Sequence, residues 1–190
     1  MIDFFPVSYR ETPELVIHPT RIDDDEVYGQ AVASFVVVCV DCIFINRHRG
    51  TVYLVKRKAK PMSSQWWFIG GRVYAGEDEF TAMCRCLKRE TSLNIDSSRL
   101  KPLLMRRYYF KDRQQEPQDR GCDSLCYVFG LDVTASEIDV VKSNLDCNEY
   151  SLEAGVEEFD AVALVSEKVF PSIIDTYNYI FQTSVAYPVR

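Results

Sequence analysis

One segment, GRVYAGEDEFTAMCRCLKRETSL from Gly71 to Leu93, limits the possible folds of this chain more than any other. Its first part is polar and contains glycine, which is typical of a loop. From residue 78 to 93, apolar side chains recur at intervals of three and four residues, as in an amphipathic helix. The predicted core face of this helix consists of Phe80, Met83, Cys84 and Leu87. The pattern therefore predicts a loop followed by a helix that packs on a hydrophobic core.

The predicted helix carries Cys86, Arg89 and Glu90 on one face, because residues three and four positions apart are neighbours on a helix. Mg²⁺ takes oxygen ligands and keeps several waters, so one or two carboxylates together with substrate phosphates can hold it. A thiol is a soft, poor ligand for Mg²⁺, and arginine adds a permanent positive charge. Glu90 is thus the single hard anionic donor on this face. The residues alone leave two interpretations open: a metal-binding helix or a simple amphipathic helix.

The segment contains a glycine, a glutamate after five further residues, an arginine after seven more, and then a glutamate and an apolar residue. These are Gly71, Glu77, Arg85, Glu90 and Leu93. This arrangement resembles the box of the Nudix family, a loop–helix–loop that holds Mg²⁺ against a nucleoside diphosphate linked to another group. The departures from the family pattern are Cys86 and Arg89 in place of glutamates and Ser92 in place of glycine. The resemblance implies an α/β chain with the Nudix fold, a mixed β-sheet sandwiched between helices. It also assigns Glu77 and Arg85 to a structural brace between loop and helix.

The rest of the chain fits strands on either side of this helix. Apolar and β-branched runs predict strands at 33–46, 51–57, 66–68, 100–110, 122–133 and 159–165. Further helices are predicted at 171–182 and in a short segment that starts at the acidic residues 23–26 and ends at 32. The long polar connection at 111–121 is either functional or merely mobile. We divide the chain into an N-terminal extension with a short helix (1–33), a Nudix domain (34–183) and a C-terminal tail (184–190).

Within the family, residues 36–181 resemble the GDP-mannose mannosyl hydrolase branch. That branch lacks the same two carboxylates, and it has an aspartate in its first strand, an arginine ending the second, and W-F shortly before G-G-R. The matching residues here are Asp41, Arg57, Trp67-Phe68, Gly70-Gly71-Arg72 and Glu90. The resemblance implies that Asp41, Arg57 and Arg72 bind the substrate. It also implies that Glu90 binds Mg²⁺ or Mn²⁺.

The same resemblance implies a reaction. It is the Mg²⁺-dependent hydrolysis of a nucleoside diphosphate derivative, a nucleotide sugar such as GDP-mannose, in which water attacks the anomeric carbon of the sugar. The mannosyl hydrolases take their general base from a Gln-His pair in the loop before the final strand, whereas residues 154–159 here are AGVEEF. Glu157 or Glu158 is the candidate replacement, and a solvated acidic turn is the alternative. A second hypothesis is a catalytically lapsed Nudix domain that binds a nucleotide or protein partner, with Arg89 supplying positive charge.

Several of these residues have a second interpretation. Asp41 lies in the run VVVCVDCIFI, where an unpaired carboxylate is costly, so we expect it to pair with a nearby arginine or with a substrate hydroxyl. Arg57 and Arg72 either bind diphosphate oxygens bidentately or are solvated and paired with Asp41. Trp66 and Trp67 either stack on a base or pack in the core.

The 190-residue chain has a net charge of −6, which argues against nucleic-acid binding. The longest apolar run, 35–45, is too short to span a bilayer, and the first residues lack the basic and apolar regions of a signal peptide. The sequence therefore predicts a cytoplasmic protein whose partner is a small-molecule nucleotide, and it leaves a homodimer open. Seven cysteines without a secretion signal, Cys39 and Cys42 among them, are predicted to be buried thiols rather than disulfides or metal ligands.

Overall fold

A mixed β-sheet forms the centre of the computed structural model, which describes residues 9, 12, 14–18 and 22–186. The strands within these residues are β1 (Val37–Asn46), β2 (Thr51–Lys56), β3 (Trp66–Trp67), β4 (Ile69–Arg72), β5 (Lys101–Phe110), β6 (Cys122–Asp132) and β7 (Val156–Phe159). The α-helices are α1 (Asp25–Ser34), α2 (Glu79–Thr91), α3 (Ala135–Ser143), α4 (Ala161–Ser166) and α5 (Pro171–Phe181). The predicted α/β fold with a mixed sheet between helices is confirmed. Parts of the predicted N-terminal extension (1–8, 10–11, 13 and 19–21) and of the predicted C-terminal tail (187–190) lie outside the described residues.

Strand β1 lies at the centre of the sheet. It pairs antiparallel with β2 and β4 and parallel with β6, while β5 pairs with β6, and both β3 and β7 pair with β2. Successive side chains of a strand point to opposite faces, and both faces of β1 are apolar. Val40, Cys42 and Phe44 belong to the core that includes α2 and α3. Ile43 and Ile45 belong to the core that includes α5.

Helix α2 lies where the sequence predicts it. It begins after Asp78, whose carboxylate accepts a hydrogen bond from the backbone N–H of Thr81 at 2.8 Å, a typical N-cap interaction. It ends at Ser92, which adopts the left-handed conformation with φ of 57°. Glycine is favoured in that conformation, and the Nudix pattern has glycine at this position. The serine therefore carries a conformational cost that the usual family residue does not.

The segment that follows residue 153 differs from the sequence prediction. The predicted strand at 159–165 is wrong, because β7 ends at Phe159 and α4 occupies most of that segment. Asp160 accepts a hydrogen bond from the backbone N–H of Ala163 at 2.8 Å, and this cap outweighs the apolar, β-branched composition of the run. The stretch predicted as a loop at 154–159 instead contains β7, which pairs with β2.

The seven cysteines are free thiols. Cys42, Cys86 and Cys126 are buried, as predicted, whereas Cys147 is exposed. No helix within the part of the chain that the structure describes is both long and apolar enough to cross a membrane.

Candidate active site

A cavity of about 590 Å³ opens beside the centre of the sheet. It is lined by Asp41 of β1, Arg57 just after β2, Arg72 of β4 and Glu90 of α2. The structure thus brings together the four residues that the sequence assigns to substrate or metal binding. Helix α1 and the connection at 111–121 contribute further walls.

The close pairing of β1 with β4 determines where two of these residues lie. In the register of the two strands, Asp41 is opposite Gly70, and Cys39 is opposite Arg72. A Cβ atom on Gly70 would lie 2.2 Å from the carbonyl oxygen of Val40 and 2.4 Å from Oδ1 of Asp41. Only glycine therefore allows the strands to approach this closely beside the cavity.

The predicted brace between Glu77 and Arg85 is present as an ion pair. Arg85 Nε lies 2.6 Å from Glu77 Oε1, and Arg85 Nη2 donates to Glu77 Oε2 at 2.8 Å and to the carbonyl oxygen of Arg72 at 2.7 Å. Glu77 also accepts a hydrogen bond from the backbone N–H of Tyr74 at 3.0 Å. One arginine therefore ties the loop after β4 to α2 and fixes the main chain at Arg72.

Glu90 is almost fully buried, with 1% of its surface exposed. Arg89 Nη2 donates a hydrogen bond to its Oε1, and the hydroxyl of Tyr150 donates to its Oε2. Burial raises the pKa of the Glu90 carboxyl, while the hydrogen bond from Tyr150 and the charge of Arg89 act in the opposite direction. Both carboxylate oxygens are therefore already engaged by protein donors.

Asp41 is buried in the floor of the cavity. Its Oδ2 has no hydrogen-bond partner among the described residues. Burial raises the pKa of its carboxyl to about 7, although the positive charge of Arg57 and a hydrogen bond from the thiol of Cys126 act to lower it. At neutral pH this carboxyl is therefore close to the midpoint of its titration.

Arg57 is held by groups on the cavity wall. Its Nε donates to the carbonyl oxygen of Pro61 at 2.9 Å, and its Nη2 lies 3.4 Å from Oε2 of Glu149. Glu149 is a further cavity carboxylate that the sequence did not indicate. Its contact with Arg57 spans 92 residues of sequence, so no local pattern could have indicated it.

Arg72 has a different environment. Its guanidinium carbon lies 4.1 Å from the ring centre of Tyr28 in α1, a cation–π contact. Burial lowers the pKa of Arg72. Among the ion pairs formed within the described residues, none includes Arg72.

Arg113, in the connection at 111–121, is a cavity residue that the sequence analysis also missed. Only 2% of its surface is exposed. Its Nε donates to the carbonyl oxygen of Gln115 at 3.1 Å and its Nη2 to that of Glu116 at 3.2 Å. Its Nη1 is buried and has no hydrogen-bond partner among the described residues. The sequence marks the connection as polar and long, but it does not single out this arginine.

Glu157 and Glu158, the candidate general bases, are not brought to the cavity. Both belong to β7, and neither lines the cavity wall. Glu158 accepts hydrogen bonds from Thr51 Oγ1 and, at 3.2 Å, from Asn46 Nδ2, beside the turn between β1 and β2. Glu157 is exposed to solvent. The segment predicted as a loop is a strand, and its pairing with β2 places both residues outside this cavity.

Trp66 and Trp67 are both buried. Trp66 packs edge-on against Phe159, with ring centres 5.0 Å apart. Trp67 lies at 5.4 Å from the ring centre of Tyr108 and 5.5 Å from that of Phe170. Of the two interpretations, core packing describes both tryptophans, although Trp67 also lines the cavity.

The fold and the site together define an α/β domain with an arginine-lined cavity beside a loop–helix element. Residues 36–170 match the model of the NUDIX domain, and the chain belongs to that family. This membership supports a hydrolase, and Nudix hydrolases act on small-molecule substrates.

Solved structures agree with this fold. The chain is similar to a MutT NUDIX hydrolase from Burkholderia pseudomallei, with 14% identity, a TM-score of 0.57, and coverage of 77% of this chain and 99% of that one. It is also similar to a mutT/nudix family protein from Listeria innocua, with 19% identity, a TM-score of 0.51, and coverage of 77% and 92%. These likenesses show the fold alone.

A curated relative is the low-salt glycan biosynthesis protein Agl8 of Haloferax volcanii. It is 34% identical over 76 residues, which make up 40% of this chain and 47% of the relative. The match therefore spans about half the length of that relative.

Nudix hydrolases generally use a divalent metal, and Glu90 is the predicted ligand in this chain. Both of its oxygens are hydrogen-bonded, and one donor is the permanently charged guanidinium of Arg89. Across the described ranges, no group of three or more His, Cys, Asp or Glu side chains is placed to hold a metal ion. In this arrangement the residues around Glu90 do not fit a divalent cation. The binding of Mg²⁺ or Mn²⁺ by Glu90 therefore stays a prediction from the sequence.

Proposed function

We propose that this chain hydrolyses a nucleoside diphosphate derivative and that its substrate is a nucleotide sugar such as GDP-mannose. The observation that carries the proposal is the cavity in which Asp41, Arg57 and Arg72 lie together. Guanidinium groups match diphosphate oxygens in charge and geometry, and a volume of about 590 Å³ is in the range of small-molecule sites. The name of the Haloferax volcanii relative connects that protein with glycan biosynthesis, which supports a sugar-linked substrate.

The arginines bind the diphosphate. Arg72 is fixed from two sides, by the hydrogen bond of Arg85 to its carbonyl oxygen and by the ring of Tyr28. Its guanidinium is therefore oriented before the substrate arrives, which lowers the entropic cost of binding. Arg57 is likewise held by Pro61 and Glu149.

Asp41 is the residue best suited to move a proton. Its carboxyl lines the cavity, has one oxygen without a described partner, and has a pKa raised by burial to about 7. A group that titrates near the working pH is an effective general base. Asp41 accepts the proton of the attacking water or of a sugar hydroxyl, the role that the sequence suggested for Glu157 or Glu158.

The bond that breaks is the one between the anomeric carbon and the diphosphate oxygen. Water adds to the carbon and loses a proton, and the nucleoside diphosphate leaves with the bonding electron pair. The support is the resemblance to mannosyl hydrolases, which lack the same two carboxylates that Cys86 and Arg89 replace here. No step is assigned to a metal ion, because Arg89 and Tyr150 engage Glu90.

Hydrolysis of GDP-, UDP- and ADP-linked sugars in ¹⁸O-water, with identification of the products, tests the proposal. We expect the label in the free sugar and none in the nucleotide. Label in the nucleotide would show attack at phosphorus and contradict the assigned bond. Turnover of no nucleotide sugar, with Mg²⁺, Mn²⁺ or a chelator, would contradict the substrate class.

A matched pair of variants connects turnover with the cavity. Arg72→Gln should lower kcat/KM for the nucleotide sugar by ~10-fold or more, the scale of one charged hydrogen bond. Arg120→Gln changes an exposed arginine that does not line the cavity, and it should leave turnover unchanged.

The engagement of Glu90 by Arg89 and Tyr150 favours a second candidate function. In that case the domain binds a nucleotide without hydrolysing it, and Arg89 replaces the charge of the metal. Tight binding of a nucleoside diphosphate without turnover, unaffected by a chelator and lost in Arg89→Ala, would support this candidate.

A further inference from the structure

Arg113 is a buried cation with an unused donor. Only 2% of its surface is exposed, and its Nη1 has no hydrogen-bond partner among the described residues. Two backbone carbonyls, those of Gln115 and Glu116, hold the rest of the guanidinium. Carbonyl oxygens orient the group, but they do not neutralise its charge. A buried, unpaired charge is costly, and its position in the cavity wall indicates that an anion accompanies it when the site is filled.

Arg72 lies on the same side of the cavity. Both Arg72 and Arg113 act on one thiol: burial raises the pKa of Cys122, and the positive charges of Arg72 and Arg113 oppose that rise. Cys122 itself lines the cavity. The two guanidinium groups therefore lie within electrostatic reach of one point on the cavity wall.

The other cavity arginines have carboxylate partners. Arg57 pairs with Glu149, and Arg89 pairs with Glu90. Neither Arg72 nor Arg113 takes part in an ion pair formed within the described residues. The two cavity arginines without a carboxylate partner therefore lie within electrostatic reach of Cys122, whereas the arginine beside Glu90 is paired.

Helix α1 and the 111–121 connection meet on this side of the cavity. A Cβ atom on Gly29 of α1 would lie 2.4 Å from the carbonyl oxygen of Glu116, so α1 and the 111–121 connection are in direct contact. Tyr28, the preceding residue of α1, contacts Arg72 through its ring. The helix and the connection therefore position both arginines before a ligand binds.

We propose that Arg72 and Arg113 form a clamp for the phosphate oxygens of the substrate's diphosphate, with Cys122 at its base, and that this clamp binds without a metal ion. The proposal rests on the proposed function for the identity of the diphosphate. It adds Arg113 as a binding residue and places the phosphates on the α1 side of the cavity.

Alkylation of the wild-type chain by iodoacetamide, with inorganic pyrophosphate and a chelator present, tests the clamp. Peptide mass spectrometry follows Cys122, and the exposed Cys147, which does not line the cavity, serves as an internal control. Pyrophosphate should slow modification of Cys122 several-fold and leave the rate at Cys147 unchanged. Equal rates at Cys122 with and without saturating pyrophosphate would overturn the proposal, and so would protection that requires Mg²⁺.

Variants supply a second measurement. Arg113→Gln should weaken pyrophosphate binding by ~10-fold or more, whereas Arg120→Gln, an exposed arginine of the same connection, should bind like the wild type. A folded Arg113→Gln with unchanged affinity would overturn the clamp. If that variant does not fold, the wild-type alkylation experiment decides.

The two proposals fail separately. Because pyrophosphate binding requires no turnover, protection of Cys122 without any hydrolysis supports the clamp and contradicts the proposed function. Hydrolysis with an unprotected Cys122 does the reverse.

Discussion

The hydroxyl of Tyr150 donates a hydrogen bond to Oε2 of Glu90, a residue 60 positions earlier in the chain. Arg89 occupies the other carboxylate oxygen. The one glutamate that this box retains from the family's carboxylates is thus part of a closed hydrogen-bonded group. Its chemistry depends on whether that group opens.

We expect the chain to bind Mg²⁺ weakly in the absence of a nucleotide, because a cation at Glu90 must displace the charged guanidinium of Arg89. Arg89→Ala should bind Mg²⁺ more tightly. Lys88→Ala, which changes an exposed charge in the same helix, should bind like the wild type. Isothermal titration calorimetry with MgCl₂ measures all three. Tight binding by the wild type would mean that the closed group opens readily.

Tyr150→Phe should lower the free energy of unfolding by ~1–3 kcal/mol, because it leaves one oxygen of a buried carboxylate without its donor. Urea unfolding at pH 7 measures the change. Tyr109→Phe is the matched control, since the Tyr109 side chain is 77% exposed. Equal unfolding midpoints for Tyr150→Phe and the wild type would show that the hydrogen bond contributes no stability.

Asp41 should make the stability of the folded chain fall as pH rises. Burial raises the pKa of its carboxyl from 3.8 to about 7, so between these values the folded state holds a proton that the unfolded state has lost. The contribution is therefore present below about pH 4 and is lost progressively up to about pH 7. The titratable and charged groups that act on this carboxyl or respond to it are Arg57, Cys126, Glu90, Cys42 and Tyr108.

Asp41→Asn tests this pH dependence. Its amide does not titrate, so the difference in free energy of unfolding between the wild type and Asp41→Asn should shift in favour of Asp41→Asn as pH rises from 4 to 7. Chemical unfolding at several pH values measures it. Parallel curves for the two proteins would contradict the raised pKa.

Gly70→Ala should destabilise the chain by ~1–3 kcal/mol, the usual cost of forcing an added group into a packed site. The added Cβ meets backbone and carboxylate atoms of β1 at 2.2 and 2.4 Å, so the pairing of β1 with β4 has to shift. Gly50→Asn is the control. A Cβ on Gly50 meets nothing within 4 Å, and asparagine tolerates its left-handed backbone with φ of 64°. Thermal unfolding should separate the two variants clearly, and equal melting temperatures would argue against the close approach.

The sequence predicted the parts of the fold that local patterns specify. The apolar spacing over residues 78–93 locates α2, and the apolar run around Asp41 locates β1. Those two elements, together with the glycine pair, already bring Asp41, Arg72 and Glu90 to one cavity. The spacing of the residues shared with the family therefore indicated which side chains lie together, and amino-acid composition could not have done so.

The sequence could not indicate contacts made between distant segments. Tyr150 and Glu149 follow α3 and meet α2 and Arg57 only in the folded chain. In the sequence, Arg113 is one of several charged residues in a polar connection. Only the folded structure shows that it is buried. The positions of Glu157 and Glu158 depend on whether their segment forms a loop or a strand. Its pairing with the distant β2 makes it a strand, and the local sequence does not indicate that pairing.

The cavity wall extends beyond the part of the chain that defines the family. Tyr28, which supports Arg72, and Gly29, which contacts Glu116, both lie in α1, before the matched span begins at residue 36. A fragment trimmed to 36–170 would retain the central sheet and α2 but lose one side of the cavity. The segment that matches the family is therefore shorter than the segment that forms the cavity. Helix α1, which lies before the matched span, completes the cavity wall.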